Sequence, residues 1–316
     1  MRKITFFGHT DRGKVRTNNE DAFIAQKIWD ENHILAVVID GVGGYEGGEI
    51  ASGLAQKLIV EYLEHYSDGE RLELLKQAVI YANNAIFSDR KNSQQYANMG
   101  CVLTAILVET KEKRINMAHV GDTRLYQFSK GQLTKLSHDH SLVGYREEIG
   151  ELTEEEAMKH PQRNVIGRDI GSTFLENGDK FYIEVAVFPF LPNSVLLLCS
   201  DGLCDMITSS QMTEILQQSI SIKDKVDTLI AVANKAGGND NITVVLVEYD
   251  SDKASSINTD NVSEQTTLEK TGKEQETTIA PNDCPQKTCH KNKSNYLLWI
   301  IFILAALVCI LLLISL

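Results

Sequence analysis

Four aspartates in this 316-residue chain each stand at the end of an apolar run. Asp40 follows residues 35–39, Asp122 follows 115–121, Asp201 follows 196–200, and Asp240 precedes 242–247. Runs of that length and composition read as strands. Strands place their ends together at a sheet edge, so the four carboxylates have a route to one site. Gathered without a counter-charge, they would repel and raise one another's pKa. Mg²⁺ or Mn²⁺ resolves that conflict, because hard cations favour carboxylate, carbonyl and water ligands. Two such ions suit hydrolysis of a phosphate ester: they acidify a water and neutralise charge on the transferring group. Each aspartate taken singly has a plainer reading. Asp40-Gly41, Asp201-Gly202 and Asn239-Asp240-Asn241 are also ordinary turn chemistry.

A second constellation is Val15-Arg16-Thr17-Asn18-Asn19-Glu20-Asp21. An arginine beside two acids offers a forked phosphate ligand next to metal-binding carboxylates. The same residues also read as a surface salt-bridge cluster. Nucleophilic cysteine chemistry lacks its loop, since no Cys-x5-Arg follows Cys199 or Cys204; both read as core packing. His119 and His138 read as packing or turn residues. Gly41-x-Gly43-Gly44 lies between a strand and a helix, as in a dinucleotide-binding turn. The spacing after Gly43 is poor, however, and no acid ends a second strand about twenty residues later.

The elements that would position these groups follow from periodicity. Strand-like runs occur at 34–39, 102–108, 114–120, 125–128, 181–188, 195–199 and 242–249. Three of them crowd between 102 and 128, which predicts an antiparallel meander. Helical spacing covers 50–66 and 71–88, and two later helices are expected at 209–218 and 223–235. Strands in runs and helices in pairs predict an α+β fold rather than βαβ alternation.

The chain divides into a body at 1–250, a linker at 251–295 and an anchor at 296–316. The anchor carries no charge. As a helix it would span roughly 31 Å, the thickness of a bilayer's hydrocarbon core. Tyr296 and Trp299 suit an interfacial belt. Lys287, Lys291 and Lys293 precede them, so a single-pass membrane protein with a cytoplasmic body is expected. No apolar signal segment is seen at the N-terminus. The linker's 45 residues hold 12 Ser or Thr, seven acids, six lysines and no Phe, Tyr or Trp. That composition predicts a flexible coil, and Cys284 with Cys289-His290 does not complete a metal motif. Six cysteines in a cytoplasmic chain read as free thiols. The net charge of −12 argues against nucleic acid as a partner.

In order along residues 3–249, the motifs resemble those of the metal-dependent Ser/Thr protein phosphatases of the PP2C type (PPM family). They are Asp11-Arg-Gly13 with Val15-Arg16…Asn19-Glu20-Asp21; Asp40-Gly-Val-Gly-Gly44; Met99-Gly100…Thr104-Ala105; Val120-Gly-Asp-Thr-Arg-Leu-Tyr126; His138-Asp-His-Ser141; Leu198-Cys-Ser-Asp-Gly-Leu203; and Gly238-Asn-Asp-Asn-Ile-Thr243. The resemblance implies a four-layer α-β-β-α sandwich of two antiparallel sheets. It implies two Mn²⁺ or Mg²⁺ ions, bridged by Asp40, with the Gly41 carbonyl on one and Asp201 and Asp240 on the other. Glu20 would support the site, with Asp21 and Asn241 behind it. Arg16 would grip the substrate phosphate, and Asp122 would serve a third, weaker ion. A metal-activated water would attack phosphorus in line, with no phospho-enzyme. Phosphoproteins are the implied substrates, a Ser/Thr kinase an implied counterpart, and the catalytic domain is expected to be monomeric. Residues 142–171 would form the family's flap, whose glutamates 147, 148, 151 and 154–156 are candidates for substrate contact. Val42 stands where some members have His, which leaves protonation of the leaving oxygen to water. Cys101-Val102-Leu103 in place of the usual small-residue and Thr pair implies a packing change only. The alternative is a catalytically silent phosphate-sensing or scaffold module of the same fold.

Overall fold

Alternate residues of the central strands face two different apolar cores. Ile34, Ala36 and Val38 pack with Leu196, Leu198, Val245 and Val247 in one. Leu35, Val37 and Ile39 pack against helical residues such as Ala55, Ile59 and Val79 in another. A strand apolar on both faces must be covered on both, and that requirement dictates layers.

The computed structural model describes residues 3–43, 47–92, 94–176, 179 and 181–250. In chain order the strands are β1 (Lys3–Asp11), β2 (Ala22–Lys27), β3 (His33–Val42), β4 (Gly100–Glu109), β5 (Arg114–Val120), β6 (Arg124–Ser129), β7 (Gln132–Lys135), β8 (Glu184–Pro189), β9 (Ser194–Cys199) and β10 (Ile242–Asp250). The helices are α1 (Gly47–His65), α2 (Arg71–Asn92), α3 (Leu142–Glu148), α4 (Glu154–Met158), α5 (Asp201–Cys204), α6 (Ser209–Leu216) and α7 (Ile222–Ala236). One sheet runs β1-β10-β9-β6-β7 and the other β2-β3-β4-β5-β8. Every strand pair is antiparallel, so the dinucleotide-binding reading, which needs parallel strands, fails. Helices α1 and α2 cover the second sheet and α5–α7 the first, which gives the expected four layers.

The predicted meander is corrected. Strands β4 and β5 do pair, but β6 lies in the opposite sheet, between β7 and β9. The chain crosses at Gly121-Asp122-Thr123. Gly121 adopts φ +108° there, and a Cβ would stand 2.2 Å from the Val102 side chain. Only glycine fits, and the crossing carries Asp122 from one sheet toward the other.

Among the described residues no helix is long and apolar enough to cross a membrane. The predicted linker (251–295) and anchor (296–316) lie outside the described residues.

Candidate active site

The predicted residues meet because their strands share a pole. Asp40 lies near the end of β3, Asp201 follows β9 through Ser200, and Asp240 stands just before β10. Glu20 and Asp21 precede β2, and Arg16 sits in the β1–β2 loop. Asp122 occupies the crossing between sheets. An open cleft of about 1240 Å³ has Arg16, Glu20, Asp40, Gly41, Asp122, Asp201 and Asp240 in its wall.

Gly41 is where the backbone comes closest. Its N–H donates to the Glu20 carbonyl at 3.1 Å, extending the β2–β3 ladder. A Cβ there would lie 2.3 Å from the Gly48 carbonyl oxygen and 2.5 Å from that of Glu20. The helix α1 therefore packs directly on the strand end.

Asp21 and Asn241 lie behind the cleft wall, both buried. Asn241 Oδ1 accepts the Glu20 N–H at 2.8 Å. Its Nδ2 donates to the carbonyls of Arg12 and Asn18, each at 2.9 Å. The Asp21 carboxylate accepts the hydroxyls of Ser200 at 2.8 Å and Thr243 at 2.6 Å. Burial still pushes Asp21 up to about 7, with Asp201 and Asp240 adding to the rise. The motifs give Ser200, Thr243 and Asn18 no individual role; here the Asn18 Nδ2 donates to Glu20 Oε1 at 3.1 Å. Ser200 and Thr243 each stand within three residues of a site aspartate, inside the Leu198–Leu203 and Gly238–Thr243 motifs.

The carboxyls facing the cleft resist ionisation together. Burial raises Asp40 well above the usual carboxyl range, and Asp21, Asp201 and Asp122 raise it further. Burial and then Asp201 raise Asp122. Burial and then Asp240 raise Asp201, while a hydrogen bond with Asp40 acts the other way. Asp201 Oδ1 is buried with no hydrogen-bond partner among the described residues. Crowded hard oxygen donors, one of them orphaned, form the pattern that a divalent cation satisfies. Arg16 Nη2 donates to Asp240 Oδ2 at 2.7 Å, and nearly half of the Arg16 side chain stays exposed.

Other groups resolve as structural. His119, His140 and Glu184 place ligand-type atoms within 4.8 Å of one another. Both ring nitrogens of His119 are already engaged, however. Its Nδ1 accepts the Thr104 hydroxyl at 2.9 Å, and its Nε2–H faces the carbonyls of Gly121 and His138 at 3.1 and 3.0 Å. His140 Nδ1 accepts the Gly121 N–H at 3.2 Å. These rings brace the crossing that carries Asp122. His138 is exposed and paired with Glu184 at 2.7 Å. Cys199 and Cys204 are buried in the core beneath α5–α7.

The flap glutamates differ from expectation. Glu147 pairs with Arg124 at 2.7 Å, Glu148 with Lys135 at 2.8 Å and Glu151 with Arg146 at 2.9 Å. Glu154 accepts the Ser209 hydroxyl at 2.7 Å, and Glu156 completes a capping box with Thr153. Five of the six carboxylates thus hold the segment in place. Asn164 and Ile166 reach the cleft wall instead.

The protein phosphatase 2C profile matches residues 9–245. The Serine/threonine phosphatase stp of Listeria welshimeri is 35% identical over 251 residues, which is 76% of this chain and 93% of that protein. The solved serine/threonine phosphatase PstP/Ppp of Mycobacterium tuberculosis aligns over 79% of this chain and all of its own, with TM-score 0.68 and 31% identity. A structure of the PstP catalytic domain in complex with two manganese ions aligns over 79% of this chain and 99% of its own, with TM-score 0.67 and 30% identity. The chain belongs to the protein phosphatase 2C family. Within that class it is a Ser/Thr protein phosphatase.

Proposed function

We propose that the chain hydrolyses phosphoserine and phosphothreonine in proteins with water activated at a two-metal centre. One observation carries the reading: Asp40, Asp201 and Asp240 share a cleft wall with Arg16, and Asp201 Oδ1 has no partner among the described residues. The two manganese ions of the PstP structure make Mn²⁺ the natural occupant, with Mg²⁺ of like chemistry. Asp40 would serve both ions, the Gly41 carbonyl one of them, and Asp201 and Asp240 the other. Glu20 would act from the rim and Asp122 at a third, weaker position. Bound there, the ions supply an acidified water and neutralise charge on the phosphoryl group.

The chain's own residues do the rest. Arg16 orients the phosphate through the guanidinium edge that Asp240 leaves free. Asn241 fixes the strand entry that carries Glu20. Asp21, which accepts the Ser200 and Thr243 hydroxyls, ties the entry of β2 to β9 and β10 behind the site. No histidine lines the cleft among the described residues, so water protonates the leaving oxygen.

The apolar segment 296–316 anchors this activity to a membrane, with the body on the cytoplasmic side and Ser/Thr kinases or their targets as the opposed partners. The uncharged run and the lysines before it support that reading. The direct test is phosphate release from a phosphothreonine peptide by the purified protein. Release that needs Mn²⁺ or Mg²⁺ and stops with chelator supports the function. No release with any divalent metal overturns it and leaves a silent module of the same fold.

A further inference from the structure

The β1–β2 loop carries Arg12, Lys14 and Arg16 at alternate positions, in a body with 36 acids against 25 bases. Arg16 lines the cleft and is tied to Asp240. Arg12 and Lys14 are exposed and have no ion-pair partner among the described residues. The neighbouring acid makes no ion pair with either among the described residues. Asp11 Oδ1 is taken by the Gly13 N–H at 2.8 Å and by Asn234 Nδ2 at 3.0 Å.

The loop is also fixed to the site. The N–H groups of Lys14 and Val15 donate to the Gly238 carbonyl at 2.8 and 3.3 Å. Asn241 Nδ2 holds the Arg12 carbonyl. Arg12 Nη1 donates to the carbonyl of Thr17, itself a cleft residue, at 3.3 Å. Two cations with no ion-pair partner among the described residues therefore stand on the loop that carries the arginine aimed at phosphate, with the Arg12 guanidinium against cleft residue Thr17. A loop clamped by backbone bonds presents its charges with little ordering cost on binding.

We propose that Arg12 and Lys14 form an anion subsite. It selects phosphoproteins with a second negative group close to the phosphoresidue being removed. That group is a carboxylate side chain or a second phosphate, since either satisfies the same cations. The proposal rests on the phosphatase reading above.

The test uses the full chain with Mn²⁺, p-nitrophenyl phosphate and three phosphothreonine peptides. The peptides carry neutral flanks, glutamate flanks or a second phosphothreonine. The wild type should favour an anionic flank by about five- to tenfold in kcat/KM, expressed mainly in KM and shrinking with salt. Comparing the two anionic peptides tells carboxylate from phosphate. The double variant R12A/K14A should lose the preference, and Lys14→Arg should keep it. A wild type that treats all three peptides alike overturns the subsite, as does a double variant that keeps the preference with its melting temperature intact. A wild type that turns over neither the peptides nor p-nitrophenyl phosphate overturns the phosphatase reading, and the subsite with it.

Discussion

Asn241 takes the backbone N–H of Glu20 on its side-chain oxygen at 2.8 Å, across 221 residues of sequence. A residue at the entry to β10 thus fixes the entry to β2, in the opposite sheet. Asn241→Ala would leave that N–H and the carbonyls of Arg12 and Asn18 without partners. The expected loss is about 1–3 kcal/mol of stability by urea denaturation. Mn²⁺ affinity should fall by roughly tenfold in a metal titration, because a ligand's support has gone. Unchanged values in both would show that the bridge does not organise the site.

The cleft carboxyls set a pH dependence with a definite sign. Burial pushes Asp21 up to about 7, and Asp40, Asp122 and Asp201 are raised as well. A carboxyl raised in the folded state keeps its proton longer there than in the unfolded chain. Ionising it therefore costs stability. The metal-free protein should weaken as pH climbs from the unfolded carboxyl value near 4 to above about 7. Bound Mn²⁺ offsets that cost. Its effect on Tm should be larger at about pH 7.5 than at about pH 5.5. Thermal melts with and without Mn²⁺ measure it, and a larger effect at the lower pH would reverse the argument.

Arg16 has one nitrogen on Asp240 and no other hydrogen-bond partner among the described residues. Arg16→Ala should lower kcat/KM for a phosphopeptide by about 10- to 100-fold, the worth of a charge-assisted phosphate contact. Arg16→Lys should recover only part of this, since a point charge lacks the fork. Steady-state kinetics on both variants, with KM and kcat separated, give the answer. Wild-type values would remove Arg16 from the site.

Much of this site was legible because its acids punctuate apolar runs. Asp40, Asp201 and Asp240 each sit where a continuous strand core stops, and the ordered motifs between them gave the layers. What stayed hidden depended on tertiary pairing. The edge strands β1 and β2 lack continuous apolar runs because each is only partly covered. The crossing at Gly121 turns on one backbone angle, so β5 and β6 looked like neighbours. The flap glutamates looked free, yet Glu147 and Glu148 find Arg124 and Lys135 only once β6, β7 and α3 have packed together.

The nine residues of β10 separate the cleft from Asp250, where the described residues end. Asp240 borders the cleft, and Asp250 ends the strand about 30 Å away at 3.3 Å per residue. If residues 251–295 form the coil that their composition predicts, they would average roughly 40 Å end to end. If 296–316 is the anchor proposed above, the cleft would search near a membrane rather than press against it. Deleting 296–316 should alter the phosphorylation of membrane-associated proteins in cells while peptide turnover in vitro persists. An unchanged cellular phosphoprotein pattern would contradict the tethering.

The central claim is that converging aspartates hold metal ions that drive phosphate hydrolysis, and Asp40 is the residue expected to serve both ions. The most direct measurement is Mn²⁺-dependent hydrolysis of p-nitrophenyl phosphate by wild type and Asp40→Asn, alongside the number of Mn²⁺ bound per chain. The account predicts metal-dependent turnover in the wild type with two ions bound. In the variant it predicts turnover lower by about 10³-fold or more, with the ion pair lost. An Asp40→Asn protein that binds two ions and turns over as the wild type does would contradict it.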